Sequence, residues 1–223
     1  MTIISSGPAF IDSVDALKNE YKDDNSNTVV ILGASDYSMI YSSLKKKTFP
    51  DFNKKYDKVI VFNQEPLHTT QTNKLPIEYQ EWIMKADEVW DYDETNFDIL
   101  YKLNKNIKLH ILKPYKDWTA FPNVEKDIDF LFYGVMNDRR NNVLSELSKK
   151  YRVCFLTHEW QNLDYYIVRS KNLLNIHFYE DCPLQEQARM IRWIGSPCNI
   201  ISEKSIRNYL DIPEFSYEEL LAL

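Results

Sequence analysis

Short apolar, β-branched runs alternate along the chain with longer stretches of mixed polarity. The runs are VVIL at Val29–Leu32, KVIVF at Lys58–Phe62, EVW at Glu88–Trp90 and KLHIL at Lys108–Leu112. A second set follows: IDFLFY at Ile128–Tyr133, RVCFL at Arg152–Leu156, LLNIHF at Leu173–Phe178 and NIIS at Asn199–Ser202. Several are continuously apolar, as in strands covered by helices on both faces. Between them, Ile11–Lys22 places Ile11, Val14, Leu17 and Tyr21 at helical spacing. Tyr37–Lys47, Ile77–Lys85, Glu94–Leu103, Arg139–Lys150, Gln161–Ser170 and Leu184–Ile194 also read as helices, with Asp36 and Asp138 as N-caps. Strand and helix in alternation predict βαβ units and parallel sheets. The expected fold is α/β, with two Rossmann-like halves whose parallel sheets face a cleft, and a helical tail.

The stretch Lys113–Lys126, KPYKDWTAFPNVEK, has two prolines and no clean period. It divides the strands four and four, giving domains over 1–113 and 127–202 with a linker over 114–126. The tail, 203–223, reads as helix, a break at Pro213, then Ser216–Leu221. Its SYEEL is a capping-box pattern, with Ser216 at the cap and Glu219 three residues on.

Composition narrows the function classes. With 223 residues, a net charge of -6 and 44% hydrophobic residues, the chain is a folded protein and not a disordered one. No apolar run approaches the roughly 18 residues of a membrane span, and the opening MTIISSGPAFIDS lacks the basic flank of a secretory signal. A cytoplasmic location is expected. Three cysteines without CxxC, and four histidines without ligand spacing, argue against a disulfide framework and a metal site. The acidic balance argues against binding nucleic acid by charge alone. Lys45, Lys46, Lys47, Lys54, Lys55 and Lys58 do cluster, and read first as a solvated surface around a loop.

Glycine is scarce, with 4 residues where a chain of this length carries about 16. Gly33, Gly134 and Gly195 fall where a strand turns into a helix or a helix ends. In doubly wound folds such turns lie at the strand carboxyl ends, where ligands bind. There a helix N-terminus favours phosphate. No GxGxxG fingerprint is present. In FYGVMNDRRNN, Arg139 and Arg140 occupy the first turn of a helix, where the dipole disfavours cations. Either they clamp an anion such as a pyrophosphate, or they are surface arginines. In LQEQARMIRWIGSPCNIISE, Glu186 and Arg189 share a helix face. Either Glu186 accepts two ribose hydroxyls, or the two form a surface ion pair.

The runs IDFLFYG-x-x-N-D-RR and L-x-NIHFY…E-x-x-R…IISE, preceded by VFNQEPL and ADEVWDYDETN, resemble the small GT-B-type glycosyltransferases of bacteria and viruses, phages included. The resemblance runs from about Val59 to Glu203. It implies a nucleotide-sugar donor, most simply a UDP-sugar, in the C-terminal half. Gly134, Arg139 and Arg140 would then face the diphosphate and Glu186 the ribose, with Arg189 supporting Glu186 or reaching a phosphate. His177 and Tyr179 would line the sugar. It implies an acceptor site in the N-terminal half at Gly33, Asp36, Asn63, Glu65 and His68, with no metal. Glu65, then Asp36, then His68 are the candidate general bases. The acceptor would be a glycan, or a hydroxymethylated base in phage DNA, for which Lys46 and Lys47 would meet phosphates. Lysine-, asparagine- and isoleucine-rich usage suits a viral source, and then a host cytoplasm. The alternative is a noncatalytic nucleotide- or nucleotide-sugar-binding module of the same fold. The glycine-rich first loop is reduced to GAS, and Glu186 lacks a second acid seven residues away.

Overall fold

The structure, a computed structural model, describes residues 1–5, 7–33, 49–68, 75–157 and 162–223. Asp36, Lys46, Lys47 and the helix expected over Tyr37–Lys47 lie outside the described residues. The chain forms two units, Met1–Tyr115 and Lys116–Leu223.

The first unit is a five-stranded parallel sheet in chain order, β1 (Thr2–Ser5), β2 (Thr28–Leu32), β3 (Lys58–Asn63), β4 (Glu88–Asp91) and β5 (Ile107–Leu109). Its helices are α1 (Ile11–Glu20), α2 (Phe49–Lys55), α3 (Ile77–Lys85) and α4 (Phe97–Leu100). Register aligns Val29 with Val59 and Ile31 with Val61. Those four, with Val89, form one buried layer with Phe52 of α2, Tyr79, Trp82 and Ile83 of α3 and Leu100 of α4. Period-2 alternation sends Phe62 and Trp90 to the opposite face. There Trp90 stacks on His110 with centroids 4.3 Å apart, and Phe62 meets His110 edge-on at 5.3 Å.

The second unit is also parallel, with β6 (Ile128–Tyr133), β7 (Val153–Leu156), β8 (Ser170–Asn175), β9 (Asn199–Glu203) and β10 (Glu214–Phe215) in the order β10-β9-β8-β6-β7. Its helices are α5 (Asp138–Ser148), α6 (Leu163–Val168), α7 (Gln187–Met190) and α8 (Tyr217–Ala222). Leu131, Tyr133 and Leu173 pack on one face with α6, Trp118 and Trp193. Phe130, Phe132, Leu174 and Ile176 pack on the other with α5 and α8. The continuous apolar runs are explained by this double covering.

The strand set is larger than expected. β1 and β10 are short edge strands that the sequence pattern does not announce. β8 begins three residues earlier than expected, because Ser170 pairs with Ile128, and it stops at Asn175. The N–H groups of His177 and Phe178 leave the ladder and donate to side-chain carboxylates instead. The helix expected over Leu184–Ile194 is reduced to Gln187–Met190. Buried Gln185 ahead of it bonds Asn208 and the Leu210 N–H. The cap of α5 is Asn137 rather than Asp138: its Oδ1 accepts the Arg140 N–H at 3.0 Å. Asp138 then sits in the first turn, where a carboxylate suits the dipole. The capping box of Ser216 and Glu219 is present at α8. In the lysine cluster, Lys54 and Lys55 end α2 and are exposed, Lys55 Nζ lying over the Tyr56 ring at 5.0 Å, while Lys58 joins Lys108 on buried Glu88 at 2.9 and 2.8 Å.

Candidate functional site

The order of the second sheet reverses at β6. The chain leaves it on one side to form β7, then crosses back to form β8 on the other. Such a reversal opens a crevice at the strand carboxyl ends. Gly134, Asn175, Glu186 and Arg189 meet there. Arg189 donates from Nη1 to Asn175 Oδ1 at 3.1 Å, and its Nη2 lies 2.6 Å from Glu186 Oε2. A Cβ on Gly134 would come within 2.8 Å of Arg189 Nη2, and its φ of +144° disfavours any L side chain. Glycine is therefore what lets this guanidinium lie across the end of β6. Buried aromatic groups hold the Arg189 backbone. Tyr133 Oη donates to its carbonyl at 3.0 Å, and Trp193 Nε1 donates to Tyr133 Oη at 2.8 Å.

Arg139 and Arg140 are engaged inside the unit. Arg140 is 2% exposed. It donates to the Ile176 carbonyl (2.9 Å), the Val135 carbonyl (2.6 Å) and Glu186 Oε1 (2.8 Å), and lies over Phe132 and Phe178. Arg139 forms a bidentate pair with Glu203 and stacks on Tyr217 at 4.0 Å. Each carboxylate so held also accepts a backbone N–H just past β8. Glu203 takes His177 at 2.9 Å and Glu186 takes Phe178 at 3.2 Å. Two consecutive arginines thus fix two consecutive amides through two glutamates. Burial opposes charge on Glu186, but Arg189 and Arg140 prevail and hold its carboxyl below the ordinary range. Burial lowers Arg140 to about 10, with Glu186 pulling the other way. His177 is 2% exposed, and burial lowers its imidazole. Its Nε2 lies 3.3 Å from the Lys204 carbonyl and 3.4 Å from Ser205 Oγ. Tyr179 is half-buried, edge-on to Phe178 at 5.0 Å.

In the first unit, Gly33 ends β2 with φ +71°. Asn63 ends β3 and is 1% exposed. Its Nδ2 donates to the Glu65 carbonyl (2.8 Å) and to Asp91 Oδ2 (2.7 Å), and its Oδ1 accepts from Tyr79 Oη (2.7 Å). Glu65 follows, half-buried. His68 is solvent-facing and its Nε2 meets Asp98 Oδ1 at 2.7 Å. Asp91 and Asn96, absent from the sequence-based candidates, complete this strand end. The ADEVWDYDETN run contains both, but the pattern along it reports only a strand and the turn after it. Among the described residues, no group of three or more His, Cys, Asp or Glu is placed to hold a metal, and no helix is long and apolar enough to cross a membrane. Cys154, Cys182 and Cys198 are free thiols.

These features define an α/β protein of two parallel-sheet units, the second carrying an arginine- and glutamate-lined site at its order reversal. No family model matches the chain. It is 27% identical over 189 residues to uncharacterized protein L138 of Acanthamoeba polyphaga mimivirus, across 76% of this chain and 20% of that protein. It is 25% identical over 193 residues to uncharacterized protein L140 of the same virus, across 81% and 60%. The chain thus spans only part of the length of these relatives. Among solved structures it is similar to TarM, with a TM-score of 0.49 and 11% identity across 95% of this chain and 51% of that one. It is also similar to a S. aureus TarM variant in complex with Fondaparinux, alpha-GlcNAc-glycerol and UDP, with a TM-score of 0.47 and 11% identity across 95% and 50%.

Proposed function

We propose that the protein is a glycosyltransferase that moves a sugar from a nucleoside-diphosphate sugar to a hydroxyl acceptor. The observation that carries this reading is the meeting of Arg189, Glu186 and side-chain-free Gly134 at the sheet reversal, ahead of the eleven-residue helix α5. The resemblance of the surrounding motifs supports it. In this reading Arg189 and the first turn of α5 receive the charge that develops on the leaving diphosphate. Together they do the work of a divalent ion. Glu186 accepts the ribose hydroxyls. Arg139 and Arg140 act through the carboxylates they hold, and His177 and Tyr179 belong to the sugar side. Glu65 takes the acceptor proton as the new C–O bond forms and the bond to the diphosphate breaks. Asp36 and His68 are the further base candidates, with Gly33 and Asn63 on the acceptor side. The mimivirus relatives are compatible with a viral setting. The acceptor is a glycan or a hydroxymethylated DNA base, with Lys46 and Lys47 as phosphate contacts in the second case.

Thermal unfolding against UDP, GDP, CMP and dTDP, then their sugars, tests the donor site. A ligand at 100 times its Kd adds about 2.7 kcal/mol, several degrees for a chain of this size. A selective rise, UDP first, is expected, and no rise with any of them overturns the donor assignment. Turnover is then sought with glycans and with hydroxymethylated DNA. Binding without turnover on any acceptor would leave a nucleotide-binding module.

A further inference from the structure

Asp91 ends β4 fully buried, beside Asn63 at the end of β3 and Asn96 in the turn after β4. Its Oδ1 accepts from the Asp93 N–H (2.8 Å) and Asn96 Nδ2 (3.1 Å). Its Oδ2 accepts from Asn63 Nδ2 (2.7 Å) and Asn96 Nδ2 (3.2 Å). The two amides that grip this carboxylate also converge on one carbonyl. Asn63 Nδ2 and Asn96 Nδ2 reach the Glu65 oxygen at 2.8 and 3.1 Å. Asn96 Oδ1 accepts the Leu67 N–H at 2.9 Å, so the loop is held two residues further on as well. The titratable groups facing this bracket are Asp93 from the same strand end, Tyr79 from α3 and Glu65 from the loop itself. Among the described residues no cation pairs with Asp91.

We propose that Asp91 is a positioning residue whose ionisation sets the Glu65 loop. As a carboxylate it fixes both asparagine amides in the orientation that holds the Glu65 carbonyl, and as an acid it releases one of them. The physical cause is a clash of donors. Both oxygens of Asp91 already face N–H groups, so an added proton points at a donor. One asparagine must then turn or part, and the Glu65 carbonyl loses a partner. Burial pushes the Asp91 carboxyl up to about 7. The Asp93 N–H, Asn63 and Asn96 oppose that rise, and the Asp93 charge adds to it. The change therefore falls in the physiological range. This inference rests on the reading of Glu65 as the acceptor-side base for its catalytic consequence, but not for its structural one.

The test is a carbon-13 and amide NMR titration of the whole chain from pH 5 to 9. Asp91 should titrate near 7, and the side-chain amide signals of Asn63 and Asn96 should move with the same midpoint. Below that midpoint, exchange of the Leu67 amide, corrected for its intrinsic pH dependence, should rise about fivefold, the scale of one hydrogen bond. Asn96→Ala should show the faster exchange at every pH, with no step. Asp91→Asn should abolish the step. If that variant does not fold, the wild-type titration and Asn96→Ala still decide the question. Asparagine amides that stay still while Asp91 titrates, or an Asp91 that titrates near 4, would overturn the proposal. Where turnover is found, kcat should inflect near pH 7 with KM for the donor unchanged, and the inflection should disappear in Asn96→Ala. The NMR step without any turnover would uphold the bracket and sink the transferase reading alone.

Discussion

Arg140 reaches Glu186 from a side chain 2% exposed, while Arg189 reaches the same carboxylate from one 13% exposed. The difference predicts distinct phenotypes. Arg140→Ala leaves Glu186 with Arg189 alone and strips the Ile176 and Val135 carbonyls of their donor. Two buried acceptors left unmet at about 1–3 kcal/mol each should cost about 2–6 kcal/mol, readable in urea unfolding. Arg189→Ala leaves Glu186 with Arg140 and takes the donor only from buried Asn175 Oδ1, so the stability loss should be smaller, about 1–3 kcal/mol. UDP affinity should also fall by about 1.5–3 kcal/mol, the worth of a charged hydrogen bond. Equal UDP affinity in wild type and Arg189→Ala would remove Arg189 from the site. Gly134→Ala acts on the same guanidinium by pushing into the space Arg189 Nη2 occupies. Its affinity loss should not add to that of Arg189→Ala in the double variant. Asp91 supplies a pH prediction whose sign is fixed by its raised value. Between about pH 4 and 7 the folded chain holds a proton that the unfolded chain has released. The stability of wild type relative to Asp91→Asn should therefore fall as pH rises through that window. Denaturant unfolding of both proteins at pH 5 and 8 measures it, and a difference that grows with pH would contradict a proton held by burial.

The end of β8 and the start of α5 are joined by one side chain. Asn137 caps the helix through Oδ1 and donates from Nδ2 to the Phe178 carbonyl at 2.8 Å. Asn137→Ala should cost about 0.5–2 kcal/mol for the cap alone. Asn137→Asp keeps the cap acceptor and loses the donor. Thermal unfolding should then show most of the stability restored, while the carbonyl carbon-13 shift of Phe178 stays where Asn137→Ala puts it. If the two variants are equally unstable, the cap is not the dominant contact. The alternation of apolar and amphipathic runs made most of the elements legible, because double-sided burial leaves continuous VVIL and FLFY signatures that need no partner to be recognised. The site was legible only in part. Arginine in a first turn stands out on charge, but the answer to that charge is Glu203, 64 residues on. HFY after LLNI reads as more strand, because nothing local shows that its amides are claimed by Glu203 and Glu186. Asp91 looks like one more residue of a strand end until Asn63, 28 residues earlier, is placed beside it. Long-range partners decide all three, and periodicity carries no information about them.

At the scale of the whole molecule, the second unit contains every part of the proposed donor site. Both faces of its sheet are covered by its own helices and loops, with Trp118, Trp193 and α6 on one side and α5 and α8 on the other. Lys116, its first residue, is tied to Asp164 at 2.5 Å, and Arg192 reaches the same carboxylate at 2.8 Å. Its last helix begins with a complete capping box. A domain of about one hundred residues with one such core is large enough to fold alone. The segment 116–223, expressed by itself, should therefore unfold cooperatively, and UDP should raise its midpoint as it does that of the full chain. The segment 1–115 should show no such rise, since Asn63, Glu65 and Asp91 offer a nucleotide no cation. A folded 116–223 that ignores UDP, while the full chain responds, would mean that nucleotide recognition needs groups from the first unit. The donor site would then have to be redrawn to include those groups.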